Sequence, residues 1–360
     1  MNFRRWIKNF MFEAVVALVI SISLVIIIDP FFHFHKPLSS IYYSLESGYE
    51  RYQNDGIIRH FNYDAIITGT SMTENFKTSE AEKVLGDKVI KVPFSGGTFK
   101  EINDNLCRAF RYNENIRYVI RSLDYTHIIE EDSSMRNDLG RFPYYLYNNE
   151  YSDDIFYILN KDAVKFSILC IKNTIKKGSG ITSFDEYANW NDDHIFGANS
   201  VLGVKNQYVL SNKKESLDVK DIDNLHRNVY QNVVKLAEEH PDTIFYYFFP
   251  PYSMAYYGDL MEEGKIEAAL EAEEMTIELI LQQPNIRLYS FNLNKDLVTD
   301  LNNYKDTTHY GEWVNSQILE WMKNDVGRIT KDNYKEYLHN ERELLMNYDY
   351  NQLFNQKMGN

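Results

Sequence analysis

Residues 63–76 read YDAIITGTSMTENF, and this stretch contains a short apolar run that stops at a cluster of small and hydroxyl residues. The run Ala-Ile-Ile-Thr at 65–68 is typical of a buried strand, and Gly69-Thr70-Ser71 directly after it indicates a turn. Ser71 has two interpretations at such a place. It caps the helix that follows, because serine is favoured at helix N-termini, or it is a nucleophile presented at the end of a strand.

Four more strand-like runs follow along the chain, and helix-like segments separate them. The runs are short, mostly rich in β-branched or aromatic residues, and bounded by turn residues, as buried parallel strands are. Five strands that alternate with helices predict an α/β fold with a doubly wound, mostly parallel five-stranded sheet covered on both faces. The predicted strands are residues 65–68, 88–93, 118–123, 243–249 and 286–291. The predicted helices are residues 79–85, 99–112, 222–239, 265–282 and 310–323.

Residues 10–28 read FMFEAVVALVISISLVIII, with Glu13 as the only charge. A helix of this length spans about 28 Å, close to the ~30 Å hydrocarbon core of a bilayer. Arg4, Arg5 and Lys8 precede the run, and this positive charge favours a cytoplasmic N-terminus with the rest of the chain outside the membrane. The sequence therefore predicts one membrane-spanning helix and a location at the cell membrane.

A cleaved signal peptide is the competing interpretation of the same run. The apolar segment is longer than the core of a typical signal peptide, and the following residues 29–37, DPFFHFHKP, contain no small-x-small cleavage site. The aromatic residues in that stretch suit the interface of a membrane. We therefore expect an anchor that stays attached to the protein.

The long interval between the third and fourth predicted strands breaks the alternation of strands and helices. We interpret residues 128–217 as an insertion near the edge of the sheet, which is either a lid or partner surface or a helical extension of the core. The predicted organisation is a cytoplasmic N-terminus at 1–9, the anchor at 10–28, a juxtamembrane connector at 29–62, the α/β domain at 63–325 and a charged amphipathic tail at 326–360.

Composition excludes some classes of function. Hydrophobic residues make up 44% and charged residues 25% of the chain, which is an ordinary globular balance. The formal net charge of −14 argues against a nucleic-acid partner, because binding to phosphate needs a basic face. Asp192-Asp193-His194 has no matching ligand cluster elsewhere, so neither a metal nor a cofactor is expected. Cys107 and Cys170 form one disulfide or remain two unpaired core thiols.

Polar residues with catalytic chemistry follow the ends of the predicted strands, where open α/β sheets collect their ligands. Asp306 and His309 are three residues apart, so one helical turn brings their side chains together. A carboxylate beside an imidazole fixes its tautomer and stabilises the imidazolium that forms during proton transfer. Ser71 is then the nucleophile, His309 the general base and Asp306 the group that orients it. The segments concerned are residues 69–71, 95–97, 123–125, 250–253 and 306–309.

Backbone N–H groups near the serine are candidate donors to the oxyanion that forms when an ester carbonyl is attacked. They belong to Ser71 itself and to the turn at Gly96-Gly97, since glycine lets a backbone approach a substrate closely. Asp124 and Tyr252 complete the predicted oxyanion or substrate-binding set. A structural role is the alternative for Asp124, and the Pro-Pro-Tyr-Ser sequence that contains Tyr252 is also typical of a loop that shapes a site.

With Gly-Thr-Ser after the first strand and Asp-x-x-His before the last helix, roughly residues 63–325 resemble the SGNH (GDSL-like) hydrolase superfamily. The membrane-anchored branch looks closest, and it includes proteins similar to the teichoic-acid D-alanylation and alginate O-acetylation proteins. The resemblance implies a flavodoxin-like fold with Ser71 and His309 in a catalytic triad. It also implies one oxyanion glycine, which Gly96 and Gly97 both match.

The chain departs from the pattern of that superfamily in two places. Thr70 stands where the first block usually has aspartate. The third block, Gly-x-Asn-Asp in the hydrolases, reads Arg121-Ser122-Leu123-Asp124 here and lacks the asparagine that donates an oxyanion contact. The loss of one such donor typically costs about 10²–10³ in rate. The variant block resembles that of the anchored, transferase-associated branch.

These features predict an extracytoplasmic, membrane-tethered SGNH-type serine O-acyltransferase or esterase that acts through an acyl-serine. The resemblance implies a hydroxyl of a cell-envelope glycan, exopolysaccharide or polyol as acceptor, and a membrane-bound O-acyltransferase as partner. The alternative is a non-catalytic accessory protein of the same fold that binds glycan or scaffolds the acyltransferase. The missing asparagine favours the alternative, and the complete set of Ser71, Asp306 and His309 opposes it.

Overall fold

The computed structural model describes residues 3–138 and 140–357 of the chain. They divide into two compact units, called here the N-terminal unit and the sheet unit. The N-terminal unit consists of residues 3–62 and 140–183, and the sheet unit of residues 63–138 and 184–357. The middle of the predicted insertion thus joins the predicted connector, and only the flanks of the insertion belong to the sheet unit.

Eight short strands lie in the described residues. They are β1 (Tyr42–Tyr43), β2 (Ala65–Thr68), β3 (Val89–Lys91), β4 (Tyr118–Ser122), β5 (Gly180–Ile181), β6 (Ile244–Phe249), β7 (Ile286–Ser290) and β8 (Arg328–Ile329). Six of them form one mostly parallel sheet in the order β3-β2-β4-β6-β7-β8, and β1 pairs with β5 in the N-terminal unit. All five strands predicted from the sequence belong to the larger sheet.

That sheet is mixed and has six strands in place of the five predicted. Strands β2, β3, β4, β6 and β7 are parallel to one another, while β8 is antiparallel to β7. The sequence did not predict β8 because only Arg328 and Ile329 form it, opposite Tyr289 and Leu288, and two residues carry no periodic pattern. Every residue of β2 is buried, as is usual for a continuous apolar strand within a parallel sheet.

Fourteen α-helices lie in the described residues. They are α1 (Phe3–Ile28), α2 (Glu50–His60), α3 (Thr78–Leu85), α4 (Phe99–Tyr112), α5 (Ile155–Ile158), α6 (Lys161–Lys177), α7 (Ala198–Leu202), α8 (Val219–Val229), α9 (Lys235–Glu239), α10 (Met254–Glu263), α11 (Ile266–Ile280), α12 (Lys295–Thr299), α13 (Glu312–Lys323) and α14 (Tyr334–Asn347). Four predicted helices correspond to α3, α4, α11 and α13. The fifth, at 222–239, is divided, because a π-helical turn at Tyr230–Val234 separates α8 from α9.

The π-helical turn supplies a hydrogen-bond acceptor to a buried arginine of β4. Arg121 is fully buried, and it donates from Nη1 to the carbonyl of Asn232 at 2.7 Å and from Nη2 to the carbonyl of Phe99 at 3.3 Å. Its guanidinium also lies over the rings of Phe99 and Tyr247. Arg121 is therefore a structural residue of the core.

The part of the predicted tail that the structure describes, residues 326–357, belongs to the sheet unit. Strand β8 joins the sheet, and α14 buries Tyr337, Glu341 and Leu345. The Glu341 side chain accepts a hydrogen bond from the side chain of Asn292 at 2.7 Å, and burial raises its pKa. The amphipathic pattern of this segment thus reflects packing onto the sheet unit.

The N-terminal unit is built around the end of α1. This helix contains the whole predicted anchor, and it is the one helix in the described part of the chain that is long and apolar enough to cross a membrane. Most of its side chains are exposed, but Val25 and Ile28 near its end are buried. Val25 belongs to a small apolar cluster with Phe31, Leu146, Tyr157, Ala163 and Phe166.

Both cysteines are free thiols, which decides between the two alternatives left open by the sequence. Cys107 is partly buried on α4 in the sheet unit, and Cys170 is buried on α6 in the N-terminal unit. Burial raises the pKa of the Cys107 thiol and raises that of Cys170 to about 11. The two thiols therefore act as small core side chains.

Candidate active site

Ser71, His309 and Asp306 meet at the carboxyl end of β2. Ser71 begins a short 3₁₀ turn, Ser71–Thr73, a few residues after the strand. Its Oγ lies 2.8 Å from Nε2 of His309, and Nδ1 of His309 lies 2.9 Å from Oδ2 of Asp306. The fold therefore brings the three predicted residues into one hydrogen-bonded chain, although His309 follows Ser71 by 238 positions.

The hydrogen bonds of Ser71 oppose its interpretation as a helix cap. The cap of the 3₁₀ turn is Thr70, whose Oγ1 accepts from the backbone N–H of Met72 at 3.3 Å. The next α-helix, α3, begins only at Thr78. The hydroxyl of Ser71 is bound to the His309 ring instead of a backbone N–H.

Asp306 fixes the orientation and the tautomer of His309. Its Oδ1 accepts hydrogen bonds from the backbone N–H groups of Thr308 at 3.0 Å and His309 at 2.8 Å. Burial alone would raise the pKa of Asp306, but the hydrogen bonds and charge of His309 bring it well below its usual value, so this side chain is a carboxylate. A carboxylate only accepts, so Nδ1 of His309 carries the proton and Nε2 is left to accept from the Ser71 hydroxyl.

Trp190 contacts both Ser71 and His309, and no sequence pattern predicted these contacts. Its Nε1 donates to the carbonyl of Ser71 at 3.3 Å, and its ring meets that of His309 edge to face at 5.6 Å between centroids. The ammonium of Lys305 lies 4.6 Å from the Trp190 ring. With aromatic residues at 15% of the chain, one tryptophan in the predicted insertion carried no distinguishing signal.

Asp124 and Tyr252, predicted as oxyanion or substrate-binding residues, support the serine loop from the interior. Asp124 is 4% exposed and accepts from the hydroxyls of Thr70 at 2.9 Å, Ser122 at 2.9 Å and Tyr252 at 3.0 Å. Thr70 is thus tied to the segment that follows β4. This geometry favours the structural alternative for Asp124 and gives Tyr252 the same positioning role.

Gly69 permits the close approach of two loops at the site. Its φ of +144° is in a region that favours glycine. A Cβ at this position would lie 2.7 Å from Cγ2 of Thr73 and closer still to Oγ of Ser122. Its carbonyl accepts from the N–H of Phe94 at 2.8 Å, which ties the serine loop to the Gly96-containing turn.

Gly69→Ala is therefore expected to lower the free energy of unfolding by about 2–4 kcal/mol, from backbone strain plus overpacking. Gly86→Ala is the matched control, because Gly86 also has a positive φ, of +75°, but open space where its Cβ would lie. That variant should lose only about 1 kcal/mol. Urea unfolding followed by tryptophan fluorescence measures both losses, and equal losses would contradict the close contacts assigned to Gly69.

Gly96 fits the role of the oxyanion glycine better than Gly97, a choice the sequence left open. The N–H of Gly97 already donates to the carbonyl of Phe94 at 2.7 Å. The N–H groups of Gly96 and Ser71 have no hydrogen-bond partner among residues 3–138 and 140–357. These two N–H groups are therefore the backbone donors left for an oxyanion.

Arg136 adds a cationic donor beside the same turn. Its Nη1 donates to the carbonyl of Ser95 at 2.6 Å, and its guanidinium occupies the space next to the Cα of Gly96. Asp138 accepts from Nε at 2.7 Å and from Nη2 at 2.9 Å, which holds the guanidinium in place. Three of the five N–H groups of Arg136 are thus used in these bonds. Leu123, which the resemblance noted in the sequence aligns with an oxyanion asparagine, is fully buried and has no polar side-chain atom.

Lys91 of β3 supports the segment that follows the serine turn. The side chain is fully buried, and its Nζ donates to the carbonyls of Phe76, at 2.9 Å, and Glu74. Burial lowers the pKa of Lys91 to about 7, against the opposing charges of Glu74 and Asp185. The sequence placed this lysine in a strand, but the contact of its side chain with the serine loop is a tertiary feature.

Lys91→Met is expected to change how stability depends on pH. Between the folded pKa of about 7 and the ordinary value of 10.5, the unfolded chain binds a proton that the folded protein lacks. Folding stability therefore rises with pH in this window, by on the order of 2 kcal/mol between about pH 7 and 9, and the variant should lose this rise. Lys88→Met, at an exposed position before β3, is the control. An unchanged rise in Lys91→Met would contradict this account.

Known proteins and metal-binding geometry give no further guide to the site. Comparison of the chain with models of protein families, with curated proteins and with solved structures finds no match. Within the described ranges, no three His, Cys, Asp or Glu side chains are grouped so that they could hold a metal ion. The interpretation therefore depends on the arrangement of Ser71, His309 and Asp306 and on the groups around them.

Proposed function

We propose that the chain is an SGNH-type serine esterase or O-acyltransferase in which Ser71 carries the acyl group. The observation that carries the proposal is the hydrogen-bonded chain from Ser71 Oγ through His309 to the carboxylate of Asp306, with links of 2.8 and 2.9 Å. In this series of hydrogen bonds, Ser71 has the position of a nucleophile, His309 that of a general base and Asp306 that of an orienting acid, as acyl transfer requires.

The strand order supports a doubly wound, flavodoxin-like fold for the sheet unit. Numbered along the chain, the five parallel strands have the spatial order 2-1-3-4-5, which is the flavodoxin order. Helix α3 packs against α13, and α4 packs against α8, as expected for separate helical layers on the two faces. The serine follows the first of these parallel strands, at the edge where such sheets bind ligands.

Acyl transfer at this site proceeds in two steps, acylation and deacylation of Ser71. Oγ of Ser71 attacks the carbonyl carbon of an ester while its proton passes to Nε2 of His309, and Asp306 stabilises the imidazolium. The tetrahedral intermediate breaks its bond to the alcohol, which leaves with the proton from His309, and an ester of Ser71 remains. In the second step, a hydroxyl of the acceptor, or water, gives its proton to Nε2 of His309 and attacks the carbonyl carbon of this ester. The bond from that carbon to Oγ of Ser71 then breaks, His309 returns the proton to Oγ, and the acylated acceptor, or the free acid, leaves.

The oxyanion formed in both steps meets a reduced set of donors. The N–H groups of Ser71 and Gly96 supply two, and Arg136 beside Gly96 supplies positive charge and two further N–H groups. No side-chain amide stands at Leu123, and one such donor is worth about 10²–10³ in rate. This argues for slow acyl chemistry, and a bound, positioned acceptor hydroxyl would then compete better than water for the acyl group.

The N-terminal helix supports a location of the protein at the cell membrane. Helix α1 crosses the membrane, and the positive charges of Arg4, Arg5 and Lys8 before it favour a cytoplasmic N-terminus, with the sheet unit outside. The resemblance to the membrane-anchored branch adds an acceptor hydroxyl on a cell-envelope or exopolysaccharide glycan. From the same resemblance we propose a membrane-bound O-acyltransferase as the partner protein.

A non-catalytic accessory protein is the second candidate, and one observation favours it. Leu123 removes the third oxyanion donor of the hydrolases, as a protein that only binds glycan or scaffolds an acyltransferase would allow. A fluorophosphonate probe, which reacts with activated serines, separates the two candidates.

The full-length protein should be labelled by that probe, and Ser71→Ala should not be labelled. A serine esterase of the SGNH type serves as positive control, and His309→Ala should be labelled much more slowly because its serine lacks the base. Absence of labelling of the unmodified protein, under conditions that label the esterase, would reject the catalytic proposal in favour of the accessory role.

A further inference from the structure

One side of α6 carries an apolar stripe that no part of the described chain covers. Ile168, Ile171 and Ile175 are 54%, 38% and 81% exposed. Their spacing of three and four residues puts them on one side of the helix. The other side of α6 packs inward through Ala163, Phe166, Ser167 and Cys170. The helix thus has two apolar sides, and only one of them is used within the N-terminal unit.

A row of lysines runs beside the isoleucine stripe. Lys161, Lys165, Lys172 and Lys176 recur at helical intervals and are all exposed. At about 100° per residue they lie together on the edge next to the isoleucines. None of them forms a salt bridge within residues 3–138 and 140–357, and Asp162 is the single acidic residue of the helix. This helix is therefore strongly basic in a chain whose net charge is −14.

Helix α6 lies next to the end of α1. The two helices pack against each other, and Val25 of α1 shares an apolar cluster with Ala163 and Phe166 of α6. Helix α5, which directly precedes α6 and also contacts α1, leaves Ile155 and Phe156 exposed. Exposed apolar side chains are therefore present on α1, α5 and α6, and both α5 and α6 contact α1 within one compact unit.

We propose that α6 lies in the interface of the bilayer that α1 crosses, with its isoleucines toward the acyl chains and its lysines at anionic headgroups. The inference rests on the membrane anchoring by α1 in the proposed function. A helix with an apolar stripe next to a lysine-rich edge is the type that binds in the plane of an anionic membrane surface. The attachment at α1 holds this face beside the bilayer, so no separate binding step is needed.

Two observations favour lipid over a protein partner as the occupant. The lysines have no acidic counterpart in the described chain, and anionic headgroups supply that charge over the whole length of the helix. The apolar stripe also belongs to a helix that packs against α1, and α1 is long and apolar enough to cross a membrane. A protein that covered only α6 would leave the exposed residues of α5 and α1 open.

Spin labels on the full-length protein in nanodiscs test this placement. Cys107 is replaced by serine, buried Cys170 is kept, and this background is checked for lack of labelling. Labels are then attached to Ile175→Cys and to Ile195→Cys, a matched control, because both isoleucines are 81% exposed. A third label at Leu18→Cys reports whether α1 is in the bilayer. Power saturation compares collisions with oxygen, which enriches in lipid, and with a water-soluble nickel chelate.

The label at position 175 should show a severalfold higher ratio of oxygen to nickel collisions than the label at position 195. Replacing phosphatidylglycerol by phosphatidylcholine in the nanodisc should lower this ratio, since the lysines lose their counter-charges. Equal ratios at 175 and 195, with a lipid-exposed label at position 18, would overturn the inference while α1 remains an anchor, and would point to a protein cover. A water-exposed label at position 18 would overturn the membrane anchoring itself.

Discussion

Ser71→Ala is expected to reduce ester hydrolysis or acyl transfer by roughly 10⁴-fold or more, because the attacking oxygen is removed. The effect should be on kcat, since the serine acts in the chemical step. Hydrolysis of p-nitrophenyl acetate by the full-length protein is the simplest measurement. The loss is chemical and not structural if the variant keeps its circular dichroism spectrum and its unfolding midpoint.

Ser200→Ala is the matched control for that experiment. Ser200 is an exposed serine on α7 in the same unit, and its side chain takes no part in the site. The control should keep full activity. Activity of Ser71→Ala close to that of the unmodified protein would exclude Ser71 as the nucleophile and would turn attention to the accessory role.

Asp306→Asn is expected to lower kcat by about 10²–10⁴-fold with little change in fold. An asparagine amide at this place allows the His309 ring to adopt the tautomer with a proton on Nε2, which cannot accept from Ser71. The variant also loses the charge that stabilises the imidazolium.

Asp296→Asn is the control for the loss of one carboxylate. Asp296 is exposed in the first turn of α12, and its replacement should leave the rate unchanged. An Asp306→Asn variant with the same rate as this control would show that His309 needs no orienting acid, and the triad interpretation would then fail.

The five parallel strands were predictable because each is a short run with several β-branched or aromatic residues, as in Ala65–Thr68, which is buried throughout. The exception in the larger sheet is β8, whose two residues pair with β7 only in the folded chain. The same reason explains the unexpected N-terminal unit. Its strands β1 and β5 contain two residues each and come from segments 137 or more positions apart, so no local pattern joins them.

The grouping of Ser71, His309 and Asp306 was predictable from the order of Ser71 and the Asp-x-x-His sequence, but the contacts around it were not. Trp190, Lys91 and Arg136 reach the serine loop or the glycine turn through contacts between distant segments. Each residue type is ordinary in its local sequence, and only the fold gives it a partner. The sequence could not distinguish Gly96 from Gly97 as the oxyanion donor, because the choice depends on which backbone N–H groups are already hydrogen-bonded in the fold.

The most direct test of the account is the identification of the acylated residue. The full-length protein is mixed with p-nitrophenyl acetate, quenched in acid during turnover, digested and analysed by mass spectrometry. We expect one acetyl group on the peptide that contains Ser71, and no acetyl group on that peptide in Ser71→Ala. Adding an acceptor hydroxyl should remove the acetyl group from Ser71 of the unmodified protein. Turnover with the acetyl group on another residue, or with no acetylated peptide in a rapid quench, would contradict the claim that Ser71 carries the acyl group.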